Sequence, residues 1–132
     1  MCTRNIRILV VDDVSCVRHV LVATFKVFFG DEVIVETAND LEQALTFNLR
    51  DFDLIFADLL LPAGKTGLTI LSRLRELVLS TPFVVMTGYT ENEVFELLAT
   101  IAPDEKIEIL RKPFSIFEIN DLAIALVPAF RE

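Results

Sequence analysis

The chain alternates short apolar runs with longer segments in which apolar residues recur at helical spacing. Five runs rich in Val, Ile, Leu and Phe predict β-strands at 6–11, 32–37, 53–57, 82–86 and 106–110. Apolar residues three or four positions apart predict helices at about 15–29, 40–50, 66–79, 91–101 and 115–127. Because the strand runs are apolar throughout, they are typical of strands covered on both faces.

The alternation of strand and helix indicates the α/β class. Parallel strands need crossover connections, which are nearly always right-handed, and in a doubly wound sheet these place helices on both faces. We therefore expect one doubly wound parallel sheet of five strands. Polar residues at the predicted helix starts support these boundaries: Asp13 or Ser15, Asn39, Thr90, and Ser115 with Glu118 as a capping box.

Length and composition limit the domain organisation. The chain has 132 residues, which suits one domain over 1–132, and no output domain or linker is visible. No apolar run approaches the roughly 20 residues that span a bilayer, and the start of the chain lacks the apolar region of a signal peptide. We therefore expect a cytoplasmic protein with no membrane segment, in which Cys2 and Cys16 are reduced thiols.

Charge limits the choice of partners. The formal net charge of −8 would repel nucleic-acid phosphates, so we expect no nucleic-acid binding by this chain. A cation, or a basic patch on another protein, suits this negative charge better than nucleic acid does. The single histidine, His19, lies away from the apolar stripe of the first helix, so we expect it to be exposed and not to bind a metal.

Polar residues follow four of the five predicted strands. Asp12 and Asp13 follow the first strand, Asp58 the third, Thr87 the fourth and Lys112 the fifth. Ligands of open α/β sheets bind beyond the carboxyl ends of the strands, near the point where the strand order reverses. If these strands are neighbours, three carboxylates, a hydroxyl and an ammonium group meet at one edge of the sheet.

This combination of groups has a specific chemical use. Three neighbouring carboxylates repel one another unless a positive charge lies among them. Mg²⁺ is the simplest source of that charge, because it prefers hard oxygen ligands and often binds one or two carboxylates together with a phosphate oxygen. Lys112 offers a second positive charge to an anion, and Thr87 offers a hydrogen-bond donor. The residues therefore indicate a site at which an acidic protein receives a phosphoryl group.

The order of these motifs resembles a known family. An acidic pair after the first strand, Asp58 after the third, Thr87-Gly88 after the fourth and "KPF" from Lys112 after the fifth resemble the receiver domain of two-component response regulators. The resemblance covers about 6–127. It implies a flavodoxin-like sheet with strand order 2-1-3-4-5.

The resemblance also implies a role for each site residue. Asp58 would accept a phosphoryl group from a phosphohistidine on a histidine kinase or histidine phosphotransfer protein, and would later lose it, by self-catalysed reactions unlike those of a conventional enzyme. Asp12, Asp13, Asp58 and the main-chain carbonyl of Leu60 would hold Mg²⁺, and Thr87 and Lys112 would contact the phosphoryl oxygens. Lys112–Pro113 would be a cis peptide bond.

Three positions depart from the family pattern. Ile109 lies three residues before the lysine, where the family often has an aromatic ring that takes part in the switch. Leu60 is apolar where many relatives are polar, and it could act with Tyr89 to change the lifetime of the phosphorylated state in either direction. The alternative for Tyr89 is that it is an ordinary loop residue. Gly67 comes one residue later than usual.

Other interpretations stay open. A pseudo-receiver would bind partners regardless of phosphorylation, although all five site residues are present, and a small metal-dependent phosphatase would need a general acid or base that is not evident. Extra apolar residues such as Val22, Phe29 and Phe117 either complete the core or form a partner surface, including a homodimer through the last two helices. The cognate kinase, the stimulus, the target, and a stand-alone or hybrid-kinase context are not evident from the sequence.

Overall fold

A five-stranded parallel sheet forms the centre of the molecule in the computed structural model, which describes residues 5–101 and 107–131. The strands are β1 (Ile6–Val11), β2 (Val33–Ala38), β3 (Leu54–Asp58), β4 (Phe83–Thr87) and β5 (Glu108–Arg111). Their order across the sheet is β2-β1-β3-β4-β5, with all four neighbouring pairs parallel. This confirms the predicted α/β fold and the strand order 2-1-3-4-5.

Helices alternate with the strands along the chain. They are α1 (Ser15–Phe29), α2 (Leu41–Leu45), α3 (Leu68–Glu76), α4 (Glu91–Ile101) and α5 (Ile116–Leu126). Short 3₁₀ turns occur at Gly30–Glu32, Leu49–Asp51, Pro62–Gly64 and Pro128–Arg131. After β3, Leu60–Leu61 pairs with Lys65–Thr66 in a small antiparallel ladder that the sequence pattern did not predict.

The sheet separates two hydrophobic cores. On one face, residues such as Leu9 and Ile55 pack with α2, α3 and α4, while on the other face residues such as Val10 and Phe56 pack with α1 and α5. Successive strand residues point to opposite faces, so a strand buried on both faces must be apolar at every position. The continuous apolar runs of the sequence therefore have a direct structural cause.

The helix starts agree with the sequence in part. Ser115 and Glu118 form the predicted capping box at α5, each main-chain N–H donating to the other's side chain at 3.1 Å. At α1 the prediction of Asp13 or Ser15 was wrong, because Val14 is the N-cap and no side chain caps it. The Val14 N–H is bound instead by the Asp12 carboxylate at 2.9 Å.

The segment 39–51 also differs from its prediction. Asp40, and not Asn39, caps α2, because its carboxylate accepts from the Gln43 N–H at 2.7 Å. The helix ends at Leu45 instead of 50, and a separate turn begins when Asn48 accepts from the Arg50 N–H at 3.2 Å. Asn48 therefore starts a second element, separate from α2.

The surface of α1 and α5 retains exposed apolar residues, although not all of those predicted. Phe29 is half-buried because its ring stacks on Phe130 with centroids 4.1 Å apart, and Val22 is half-buried as well. We define the α1–α5 apolar surface by its exposed members, which are Val20, Val27, Phe28, Ile116 and Phe117. An open groove of about 230 Å³ runs between the two helices on this surface.

Smaller predictions have mixed outcomes. His19 is exposed, and Cys16 is an exposed free thiol, as expected. Cys2 and the predicted strand start at Lys106 lie outside the described residues. In the described part of the chain, none of the helices combines the length and the apolar character that crossing a bilayer requires.

Candidate phosphoryl-acceptor site

The predicted polar residues converge at the carboxyl edge of the sheet. Asp58 and Thr87 are the last residues of β3 and β4, and Asp12 and Lys112 each directly follow a strand. Because the strands are parallel and adjacent, their carboxyl ends meet. Carboxylate oxygens of Asp12, Asp13 and Asp58 lie within 4.8 Å of one another.

Lys112 bridges two of the three carboxylates. Its Nζ donates to Asp12 Oδ2 at 2.7 Å and to Asp58 Oδ2 at 3.0 Å. Asp12 is fully buried and Asp58 nearly so, whereas Asp13 is exposed. Hydrogen bonds between charged groups are stronger than neutral ones, and breaking a buried pair leaves a charge without compensation. The ammonium group thus holds together an edge that would otherwise carry only negative charge.

Main-chain N–H groups bind the other carboxylate oxygen of Asp12 and of Asp58. Asp12 Oδ1 accepts from the Val14 N–H at 2.9 Å, and Asp58 Oδ1 accepts from the Leu60 N–H at 3.2 Å. Each carboxylate therefore contacts Lys112 through one oxygen and the chain just after it through the other. This pattern orients both groups before any ligand arrives.

The environment changes the acidity of two site residues. Burial raises the pKa of Asp58, the Lys112 hydrogen bond opposes this, and the negative charge of Asp12 reinforces it. Burial would lower the pKa of Lys112, but its hydrogen bonds to Asp12 and Asp58 outweigh burial and raise that pKa. Lys112 is therefore a cation at neutral pH. For Asp58, burial together with the negative charge of Asp12 outweighs the contacts with Lys112, so its pKa stays raised.

A main-chain hydrogen bond links the residues at the ends of β4 and β5. The Lys112 N–H donates to the Thr87 carbonyl at 2.7 Å, and the Lys112–Pro113 peptide is cis, as the resemblance implied. Thr87 is buried, and its Oγ1 accepts from the Tyr89 N–H at 3.0 Å. Ile109, at the position where the family often has an aromatic ring, is half-buried and packs against the core on the α2, α3 and α4 face.

The loop after Asp58 folds back closely against the strand. The Gly67 N–H donates to the Leu59 carbonyl at 3.3 Å. A Cβ at Gly67 would overlap the Asp58 carbonyl oxygen and press on Ala57 Cβ. Glycine at this position therefore lets α3 begin directly behind the candidate phosphoacceptor.

One further polar residue reaches the site without having been predicted. Arg18 Nη1 donates to the main-chain carbonyl of Asp12 at 2.6 Å. The six-residue separation from Asp12 carries no recognised motif, and the acceptor is a carbonyl that every residue has. No residue-type signal in the sequence could have identified this contact.

The donor set suits a hard divalent cation. Three carboxylates supply only oxygen ligands, and one of them is exposed at the edge where an ion would enter. Mg²⁺ takes oxygen ligands, is often held by one or two carboxylates and keeps several waters. The residues present therefore fit Mg²⁺ by ligand type and by the excess of negative charge.

Comparison with known families identifies the class of protein. A sequence model of the response regulator receiver domain matches residues 8–123 of the chain. The chain therefore belongs to the response regulator receiver family. No curated protein sequence matches it in a direct comparison.

Solved structures have the same fold. The chemotaxis protein CheY4 of Vibrio cholerae is 24% identical, with a TM-score of 0.78, covering 93% of this chain and 99% of that one. A signal receiver domain of an HD domain-containing protein from Pseudomonas fluorescens Pf-5 is 22% identical, with a TM-score of 0.78 and coverage of 98% and 91%. The receiver domain of NtrX from Brucella abortus is 24% identical, with a TM-score of 0.74 and coverage of 92% and 98%. At these identities the likeness supports the fold alone.

Proposed function

We propose that Asp58 accepts a phosphoryl group from a phosphohistidine on a histidine kinase or histidine phosphotransfer protein, in a Mg²⁺-dependent reaction. The observation that carries this proposal is the double contact of Lys112 Nζ with Asp12 and Asp58, at 2.7 and 3.0 Å. A cation already located at the acceptor carboxylate can neutralise an incoming phosphoryl group. Asp12, Asp13, Asp58 and the Leu60 carbonyl would hold the metal ion, which when bound supplies further charge neutralisation.

The chemistry is a displacement at phosphorus. An oxygen of the Asp58 carboxylate forms the new P–O bond while the P–N bond to the donor histidine breaks. The electron pair of that bond returns to the imidazole nitrogen. Because the other ring nitrogen of the phosphohistidine carries a proton, the products are an aspartyl phosphate and a neutral histidine. Phosphoryl transfer depends mainly on positioning and on charge stabilisation. The fixed carboxylate of Asp58 and the charge of Lys112 meet those two needs.

Thr87 has a separate part in the proposal. Its Oγ1 accepts a hydrogen bond from the Tyr89 N–H at 3.0 Å, and a hydroxyl that accepts one bond can still donate its own proton. We expect that proton to bind a phosphoryl oxygen. Because Ile109 replaces the aromatic residue that the family often uses, we propose that phosphorylation is transmitted through contacts other than a rotating ring.

The proposal extends to partners and location. We propose that the chain acts as one receiver domain over 1–132, in the cytoplasm, and signals by protein contacts that depend on phosphorylation. The α1–α5 apolar surface supports docking of the phosphodonor, and the net charge of −8 favours protein partners over nucleic acid. A homodimer through α4 and α5 stays a prediction, which sedimentation at several protein concentrations would test.

The phosphorylation experiment uses acetyl phosphate, Mg²⁺ and intact-mass measurement. We expect the wild type to gain one phosphoryl group and Asp58→Asn to gain none. Asp51→Asn, which removes an exposed carboxylate from the turn before β3, should label like the wild type. Loss of labelling in EDTA would support the metal requirement. Labelling of Asp58→Asn to the wild-type extent would contradict the proposed acceptor.

A wild type that is not labelled by acetyl phosphate would next be tested with a panel of phosphorylated histidine kinases. Transfer from any of them to Asp58 would support the proposal. If no donor transfers, and the protein is folded by circular dichroism, the chain would be a pseudo-receiver that binds partners without phosphorylation.

The lifetime of the aspartyl phosphate gives a second test. Leu60 and Tyr89 are 54% and 40% exposed, and their main-chain N–H groups bind Asp58 and Thr87, so both side chains start at the edge of the site. We propose that they restrict water at the acyl phosphate. Leu60→Ala and Tyr89→Ala should then shorten the lifetime measured by loss of the mass increment, and an unchanged or longer lifetime would contradict this role.

A further inference from the structure

Arg18 contacts the site through a hydrogen bond that the proposed phosphoryl transfer does not explain. It lies in the first turns of α1 and is half-buried, and its Nη1 donates to the Asp12 carbonyl at 2.6 Å. The donor is a charged guanidinium group, so this is a short, charge-assisted hydrogen bond. The acceptor oxygen belongs to the peptide group that joins Asp12 to Asp13.

Asp12 is held at every one of its polar groups. Its N–H donates to the Ala38 carbonyl at 3.1 Å, and its two carboxylate oxygens accept from the Val14 N–H and from Lys112 at 2.9 and 2.7 Å. The bond from Arg18 completes this set by fixing the carbonyl. The peptide that leaves Asp12 therefore has little freedom to rotate.

The position of the Asp13 carboxylate depends on that same peptide group. Its side chain is exposed, yet one carboxylate oxygen lies within 4.8 Å of ligand oxygens on Asp12 and Asp58. An exposed side chain is not directed by packing, so its main chain, which sets the direction of the Cα–Cβ bond, limits the positions that the carboxylate can reach. A guanidinium group is planar and loses less conformational freedom on binding than an ammonium group on a flexible stem.

We propose that Arg18 is a positioning residue that holds the Asp12–Asp13 peptide so that the Asp13 carboxylate faces the other two, and that it thereby sets the affinity of the site for Mg²⁺. The inference rests on the proposed function, because it concerns the same metal site. It assigns Arg18 no contact with the ion or with the phosphoryl group.

Charge and geometry predict opposite results when Arg18 is removed. Its positive charge repels a cation, so a purely electrostatic role would make Mg²⁺ bind more tightly after the charge is lost. A positioning role would make Mg²⁺ bind more weakly, since partners that orient metal ligands typically contribute about 10-fold to 100-fold in metal affinity. The sign of the change therefore separates the two roles.

The test is a calorimetric titration of MgCl₂ into the whole chain without a phosphodonor. For Arg18→Met we expect the dissociation constant to rise by about 10-fold. Arg18→Lys should bind nearly as weakly as Arg18→Met, because the ammonium group retains the charge and loses the planar fork. Arg50→Met, which removes an exposed arginine from the turn before β3, should bind like the wild type.

Thermal unfolding without Mg²⁺ provides the control for folding. If Arg18→Met does not fold, the comparison of Arg18→Lys with the wild type decides the question. An unchanged or lower dissociation constant in the folded Arg18 variants would overturn the proposal, and so would an equal rise in Arg50→Met. A wild type that does not bind Mg²⁺ would overturn it as well.

Failure of this inference is distinguishable from failure of the proposed function. A wild type that binds Mg²⁺ but accepts no phosphoryl group from any donor would overturn the function and leave the role of Arg18 to the titration. A wild type that is labelled at Asp58, together with an Arg18→Met variant of equal Mg²⁺ affinity, would overturn only the role of Arg18.

Discussion

The two ends of α3 use glycine in opposite ways. Gly67, at the start of the helix, has φ −60° and ψ −20°, a conformation that any residue adopts, but it has no room for a side chain. Val78, just past the end of the helix, has φ 56°, where glycine is favoured, and its side chain is 91% exposed. The chain therefore has glycine at Gly67, where there is no room for a side chain. It has valine at Val78, where only the backbone conformation would favour glycine.

The hydrogen bonds around Val78 show that its conformation is part of a regular helix end. The Leu79 N–H donates to the Leu74 carbonyl at 2.9 Å, and the Val78 N–H donates to the Arg75 carbonyl at 3.0 Å. This is the Schellman arrangement, in which the left-handed residue is usually glycine. The left-handed conformation of Val78 thus occurs at an exposed helix end, whereas the close contact behind Asp58 leaves no room for a Cβ.

Substituting Gly67 should have the largest effect. In Gly67→Ala the new methyl group would overlap the Asp58 carbonyl and push the β3 end or α3 away. We expect the free energy of unfolding to fall by about 1–3 kcal/mol, the usual result of overpacking. Displacement of Asp58 should also weaken Mg²⁺ binding. Denaturant unfolding and calorimetry measure the two effects.

Gly88→Ala is the matched control for that substitution. Gly88 also lies at the carboxyl edge of the sheet, but nothing is within 4 Å of an added Cβ. It should change stability by less than about 0.5 kcal/mol. Equal stability losses for the two alanine variants would show that the close contact at Gly67 is not what makes glycine necessary there.

Substituting Val78 should have a smaller effect of the opposite sign. Val78→Gly removes a left-handed cost of about 1–2 kcal/mol for a residue with a Cβ, offset by the larger entropy loss of glycine. We therefore expect the unfolding free energy to rise by about 0.5–1 kcal/mol, with Mg²⁺ affinity unchanged. Val78→Ala, which keeps a Cβ, should gain less. A glycine variant no more stable than the alanine variant would show that Val78 is not strained.

The sequence pattern missed this contrast for a physical reason. Leucines at 68, 71, 74 and 77 predicted a helix over 66–79, with Val78 as an alternative last apolar position. The helix ends at Glu76 because the chain turns at Val78, and Leu79 returns to the core beside Leu74. The spacing of apolar residues indicates which of them face the core. A left-handed turn can return Leu79 to the core without continuing the helix, so its apolar character does not show that the helix extends to it.

The site was more predictable than the helix ends. Asp12, Asp58, Thr87 and Lys112 each lie at or directly after a strand end, so the parallel sheet alone brings them to one edge. The contacts that orient them involve main-chain N–H and carbonyl groups, as at Leu60 and Asp12. Because every residue carries those groups, the sequence predicted which side chains meet, Lys112 included, but not the main-chain contacts that orient them.

The start of α4 offers the test with the smallest expected effect. There the helix end is fixed by hydrogen bonds of side chains, and not by a close contact as at Gly67 or by a left-handed residue as at Val78. Glu93 Oε1 accepts from the Thr90 N–H at 3.1 Å and from its hydroxyl at 2.9 Å, while the Glu93 N–H donates to Thr90 Oγ1 at 3.3 Å. The Thr90 N–H, followed by the hydroxyl, lowers the pKa of Glu93 below its ordinary value of 4.5. The bonds at the Glu93 carboxylate therefore stabilise the fold most fully above pH 4.5 and are lost as the pH falls through the lower pKa of the folded state.

Unfolding of the wild type and Glu93→Gln across this pH range measures the effect. The wild type should be more stable at neutral pH, because glutamine accepts more weakly than a carboxylate, and its advantage should shrink on acidification. Glu42→Gln, which removes the same charge from the exposed face of α2, is the matched control. An advantage for the wild type that grows as the pH falls would have the wrong sign for a lowered pKa. That result would show that the cap does not bind the ionised carboxylate, leaving Thr90 alone to fix the start of α4.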